Sequence, residues 1–111
     1  MRVNLFRLPT ELLGAELVER IVGGDDVLVE RIVSTGQATP PGEWLEQDRD
    51  EWVALLQGEA ELSFEDGTRA ALRRGDALLI GAGTRHRVER TSAEPPCIWL
   101  AVHAAGLAGY G

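Results

Sequence analysis

The chain contains no lysine, and all eleven of its basic residues are arginine. It carries one cysteine, one methionine, two histidines and only 5% aromatic residues. The lone Cys97 excludes an internal disulfide and any metal centre built from several cysteines. Basic residues are outnumbered by eighteen acids, which gives a formal net charge of −7. No basic stripe is present to displace counterions from phosphates, which argues against a nucleic-acid partner. A polybasic membrane-binding segment is missing as well. The uncharged stretch from Pro95 to Gly111 is diluted by Gly, Ala, His and Pro, and it falls short of the roughly 20 apolar residues a membrane span needs. Arg2 and Arg7 imitate the charged start of a signal peptide, but Glu11, Glu16 and Glu19 interrupt any apolar run behind them, so the expected location is the cytoplasm. The plain reading of the missing lysine is a codon bias. Its physical consequence is that every surface cation is planar and always charged.

What remains is the composition of one globular domain: 111 residues, 44% hydrophobic, 26% charged, mean hydropathy −0.09. Most of the chain reads as β. Val27 to Ser34 is rich in Val and Ile, and Trp52 to Gln57 is a short, nearly continuous apolar run. Ala60, Leu62 and Phe64 alternate with Glu59, Glu61, Ser63 and Glu65, which predicts one buried and one wet face. Asp66-Gly67 is a hairpin signal, with Thr68 to Leu72 returning antiparallel. Apolar Ala77 to Ile80, then His86 to Thr91 and Cys97 to His103, supply further strands, separated by glycine turns and by Pro95-Pro96. Residues 11–22 stay open: Leu13, Leu17 and Ile21 recur at helical spacing, while Glu16 to Val22 ahead of the GGDD turn also suits a strand. Short strands at regular spacing predict an all-β sandwich or barrel.

Two glycine-punctuated blocks narrow this choice: GQATPPGEWLEQDRDEWVALLQG, Gly36 to Gly58, and GDALLIGAGTRHRVER, Gly75 to Arg90. Together they resemble the two motifs of the cupin superfamily, over about two thirds of the chain, Val27 to His103. In the first motif Glu51 and Gly58 match. The positions of its two histidines fall on Leu45 and Gln47 or on Trp44 and Glu46, depending on the gap. In the second, Gly75, Gly83 and His86 match, while Gly81 replaces a proline and Arg90 an asparagine. The resemblance implies an all-β double-stranded β-helix, the cupin jelly-roll barrel, with a short N-terminal extension. Residues 1–26 are expected as the extension packing on the barrel, 27–103 as the barrel and 104–111 as a flexible tail.

The resemblance further implies one divalent metal ion (Zn, Mn, Fe or Ni), which cupins usually hold with three imidazoles and a carboxylate. Here the ligand set is reduced to Glu51 and His86, helped by Gln47 or Glu46, and suits harder ions than the usual site. Parity along His86 to Arg90 turns His86 and Val88 inward if the charged residues face water. His103 is a candidate second imidazole or ligand-binding residue at the barrel mouth, and Trp44 a candidate ligand contact. The function expected is a small stand-alone cupin that binds, or acts on, a small polar metabolite. The competing reading is a non-catalytic ligand-binding or structural dimeric cupin without metal, in which His86 is simply hydrogen-bonded to Glu51. The residues leave open whether a reaction is catalysed. Small cupins commonly pair, so a homodimer is expected. Cys97 reads as a small buried hydrophobe rather than a nucleophile.

Overall fold

The computed structural model describes residues 1–12 and 14–109. Among these residues eight strands form: β1 (Leu17–Gly23), β2 (Val27–Ser34), β3 (Asp50–Gln57), β4 (Glu59–Phe64), β5 (Arg69–Arg73), β6 (Ala77–Ile80), β7 (His86–Thr91) and β8 (Cys97–Ala104). Among the described residues there is no helix long and apolar enough to cross a membrane. The strands make two antiparallel sheets, one of five strands in the order β1-β2-β8-β3-β6 and one of three in the order β5-β4-β7. This is the expected all-β jelly-roll barrel.

The segment left open between helix and strand is a strand from Leu17 onward. Its β-branched Val18, Ile21 and Val22 suit a pleated surface, and it pairs with β2 along its length, with a bulge between Arg20 and Val22. Residues 17–23 thus belong to the barrel sheet itself. Leu13, the first residue of the helical spacing, lies outside the described residues, as do Tyr110 and Gly111 at the end of the expected tail.

Side-chain alternation decides what faces the interior. Val53 and Leu55 of β3, Ala60 and Leu62 of β4, and Cys97, Trp99 and Ala101 of β8 meet between the sheets in one apolar core. Leu55, fully buried, contributes about 2 kcal/mol by leaving water. Cys97 is buried as expected, its Sγ donating to the Glu59 carbonyl at 3.1 Å. Gly58 turns the chain from β3 into β4 at φ +91°. A Cβ there would stand 2.7 Å from Ser92 Oγ and 2.9 Å from Cys97 Sγ, so only glycine fits. The Asp66-Gly67 hairpin closes as expected, with the Thr68 amide bound to Asp66 Oδ1 at 2.9 Å.

The outer face of β2 carries Arg31, only 8% exposed. Its guanidinium donates to Glu19 Oε1 at 2.7 Å and to the carbonyls of Leu5 at 3.1 Å and Arg7 at 2.8 Å. Those bonds tie the irregular lead-in to the sheet.

Candidate functional site

The barrel brings residues 51 and 86 together. Glu51 is the second residue of β3 and lies opposite His103 of β8 in the sheet register. His86 opens β7 on the other sheet, where its backbone pairs with Leu45 in both directions, at 2.7 and 3.0 Å. The Gly83 amide donates to the Gln47 carbonyl at 2.7 Å. The second motif's turn is thereby fastened to the first motif's loop, and this sets His86 across from Glu51.

Three side chains converge. His86 Nε2 stands 3.9 Å from Glu51 Oε1, and His103 Nε2 stands 3.8 Å from Glu51 Oε2. Both gaps exceed a hydrogen bond. The expected hydrogen bond between His86 and Glu51 is therefore not made. Instead His86 Nδ1 lies 2.9 Å from the Thr84 carbonyl. That acceptor requires a proton on Nδ1, and in the neutral ring the Nε2 lone pair then faces Glu51. His103 is held differently, because its Nε2 is bonded to Glu30 Oε1 at 2.9 Å. Glu51 is 8% exposed and His86 3%. Burial pushes the Glu51 carboxyl above its ordinary range; His103 and His86 pull it back, and Glu30 adds to the rise.

Glu51 and His86 form the polar end of a cavity of about 230 Å³, with Gln47 beside them and Ile32, Val53, Leu62, Ile80 and Val88 among its walls. His103 and Glu30 open instead onto a shallower cleft of about 790 Å³ that also reaches Gln47, Asp48 and Arg49. A still larger hollow surrounds the lead-in and Arg31, and none of the motif residues is among its lining.

Leu45 and Gln47 line the cavity, while two other candidates face away from it. Glu46 is paired with Arg85 at 3.0 Å on the half-exposed outer surface, and Trp44, 39% exposed, stands beside Glu46 and Arg85 there. The reason is parity: residues alternate across an extended segment, so 45 and 47 look in when 44 and 46 look out. Neither Glu46 as a metal ligand nor Trp44 as a contact inside the barrel fits this placement. Along β7 the alternation holds for His86 and Val88 and then breaks. Leu62 pairs with Val88 but Glu61 with Arg90, so Glu89 is the extra residue of a bulge and Arg90 points out towards Glu59.

Sequence reasoning missed Glu30. A signal was available: Glu30-Arg31 sits inside an apolar strand, so whichever way the strand faces, one charge must point into the barrel. Here Arg31 faces out and Glu30 faces in.

The matching family model is the cupin domain, over residues 31–103. The chain belongs to the cupin domain family. It is similar over 96% of its length to 99% of a putative mannose-6-phosphate isomerase from Ralstonia eutropha, at 36% identity and a TM-score of 0.90. A cupin superfamily protein from Desulfitobacterium hafniense shares the fold at 18% identity and a TM-score of 0.73, covering 87% of this chain and 84% of that one. An RmlC-like cupin with a double-stranded β-helix from Methanocaldococcus jannaschii does so at 16% and 0.69, covering 95% and 93%. No curated relative matches the chain significantly.

Cupins often bind a metal, and the donors present decide whether one fits here. Two donors are free to ligate: the Glu51 carboxylate and the His86 Nε2 lone pair. The His103 Nε2 is taken by Glu30, Leu45 has no donor, and Gln47 offers only a neutral amide. Among the described residues no three His, Cys, Asp or Glu side chains are grouped to hold an ion. This donor set does not fit the usual cupin metal.

Proposed function

We propose that the barrel binds a small organic molecule directly, with Glu51 and His86 gripping its polar end and the apolar walls enclosing its body. The observation that carries the reading is the pair of gaps around Glu51: a buried carboxyl faces two imidazole nitrogens across 3.9 and 3.8 Å and bonds to neither. A ligand hydroxyl placed there donates to Glu51 Oε1, a group with two or more N–H donors reaches Glu51 Oε1 and His86 Nε2 together, and burial of the apolar body adds affinity. The cavity volume lies below the range of about 300–1,000 Å³ typical of drug-sized ligands, so the ligand is fragment-sized. Small-molecule binding, rather than a particular reaction, is the function proposed, because fold similarity does not fix chemistry.

The test uses protein purified without chelator. 3-Methylbutan-1-ol supplies one hydroxyl and a branched apolar body. It is expected to shift the indole N–H resonance of Trp99, a residue of the cavity wall. Silence of that resonance, with the alcohol and with the amine and carboxylate of the same carbon skeleton alike, refutes the reading.

A second reading keeps a single divalent ion between Glu51 and His86, and both being free donors favours it. Metal analysis separates the two. About one equivalent of tightly held metal, lost in His86→Ala, supports the ion, and a clearly substoichiometric content supports direct binding. The homodimer expected from the resemblance is tested by sizing at several concentrations, where a strict monomer removes it.

A further inference from the structure

The acceptors of the cavity outnumber its donors, and that imbalance selects a ligand. Glu51 presents two carboxylate oxygens without a hydrogen bond from the described residues, although the residue is more than nine-tenths buried. His86 adds the Nε2 lone pair. At the rim the exposed Glu16 adds a second carboxylate, its Oε2 accepting from Ser34 Oγ at 3.0 Å. Among the described residues two side-chain donors stand against these, besides the His86 ring. Trp99 Nε1 is already spent on Ser34 Oγ at 3.1 Å, which leaves the Gln47 amide. Among the described residues no arginine lines the cavity. Arg31 is committed to the lead-in, Arg85 to Glu46 and Glu65, and Arg87 to Glu89, while Arg49 lines the neighbouring cleft and not this cavity.

We infer that the cavity selects a small organic ammonium ion with a branched apolar body, and rejects carboxylates and phosphates of the same size. This rests on the proposal that the cavity is a ligand site. The ammonium N–H groups satisfy Glu51 and His86 Nε2 at once, and the positive charge compensates a carboxylate that burial otherwise penalises. An anion there would face the Glu51 carboxylate with no arginine among the described lining residues to pair with. The walls formed by Ile32, Val53, Leu62, Ile80 and Val88 take the alkyl part. The Ralstonia eutropha protein is named for a phosphorylated sugar; the charge pattern of this cavity points to a ligand of the opposite sign.

Three probes that share one branched five-carbon skeleton test it: 3-methylbutylamine, 3-methylbutan-1-ol and 3-methylbutanoate, titrated at neutral pH and constant ionic strength with the Trp99 indole N–H as reporter. The amine is expected to bind at least about tenfold tighter than the carboxylate, with the alcohol between them. Glu51→Gln is expected to erase most of that preference while the alcohol still binds, and Glu16→Gln to reduce it less. Carboxylate binding equal to or tighter than amine binding overturns the inference and leaves the binding site standing. An amine preference untouched by Glu51→Gln overturns it too, because the selection then lies outside the cavity. No response to any probe overturns both the inference and the proposed ligand site beneath it.

Discussion

Arg31 and Glu51 are equally buried, each 8% exposed, on opposite faces of the same five-stranded sheet. Their surroundings differ in kind. Arg31 has its donors placed on Glu19 and on carbonyls of the lead-in, a set that neutralises its charge and ties chain segments together. Glu51 has two imidazoles beyond hydrogen-bond reach and no other partner among the described residues. Burying a charge is costly unless it is paired and hydrogen-bonded. One charge meets that cost within the fold. The other has no partner in the fold, and since no fully buried side-chain atom among the described residues lacks a hydrogen bond, its carboxylate oxygens keep contact with the cavity solvent. Equal burial therefore ties chain segments together in one case and, in the proposed reading, keeps a group available to a ligand in the other, and completeness of partnering is what separates them.

The largest expected effect tests the Arg31 side. Arg31→Met leaves the Leu5 and Arg7 carbonyls and Glu19 without their donor, and is expected to cost about 3 kcal/mol in urea unfolding. Glu51→Gln in the same assay is expected to leave stability unchanged or raise it by about 1 kcal/mol. Equal losses for the two would erase the contrast.

Restoring the missing imidazoles tests the site side. The double substitution Leu45→His with Gln47→His places two imidazoles at the cavity wall beside Glu51 and His86. It is expected to take up about one equivalent of Zn or Ni with a rise in melting temperature, whereas the parent chain shows no such rise. Equal metal response in parent and variant would mean that the parent's donors suffice.

A third effect is the pH dependence. The folded pKa of Glu51 is raised above its ordinary 4.5, so the folded chain holds this proton more firmly than the unfolded chain. The stability this provides is fully present below pH 4.5 and is lost as pH rises through the raised value. The melting-temperature advantage of Glu51→Gln over the parent is thus expected to be smallest in acid, to grow across that window and then to level off. A difference that is flat with pH removes the burial argument. The smallest effect is expected from Glu30→Gln. It weakens the charge on the His103 hydrogen bond, costs about 1 kcal/mol, and lowers the Glu51 pKa by removing a neighbouring anion.

The strands were legible where local pattern alone decides them. The bounds of β2, β6 and β7 follow from Val/Ile density, an apolar run between glycines, and the stretch after the GAG turn. β1 was not legible, because an edge strand with Leu, Val and Ile at mixed spacing gains its identity from pairing with β2. The meeting of Glu51 and His86 was legible through motif spacing. The Glu30–His103 bond was not: it joins residues 73 apart, and nothing local encodes it. The bulge at Glu89 was hidden for a similar reason, since an extra residue shows only against a partner strand. The exclusion of Glu46 and Trp44 from the cavity turned on a one-residue choice between two motif alignments, which the bridge between Leu45 and His86 resolves.

The most direct measurement is a pH titration of the Glu51 side-chain carboxyl by carbon NMR, with and without 3-methylbutylamine. A carboxyl kept buried for a cationic ligand predicts a midpoint above the ordinary glutamate range that moves down when the amine is added. An ordinary midpoint that the amine leaves in place would contradict it.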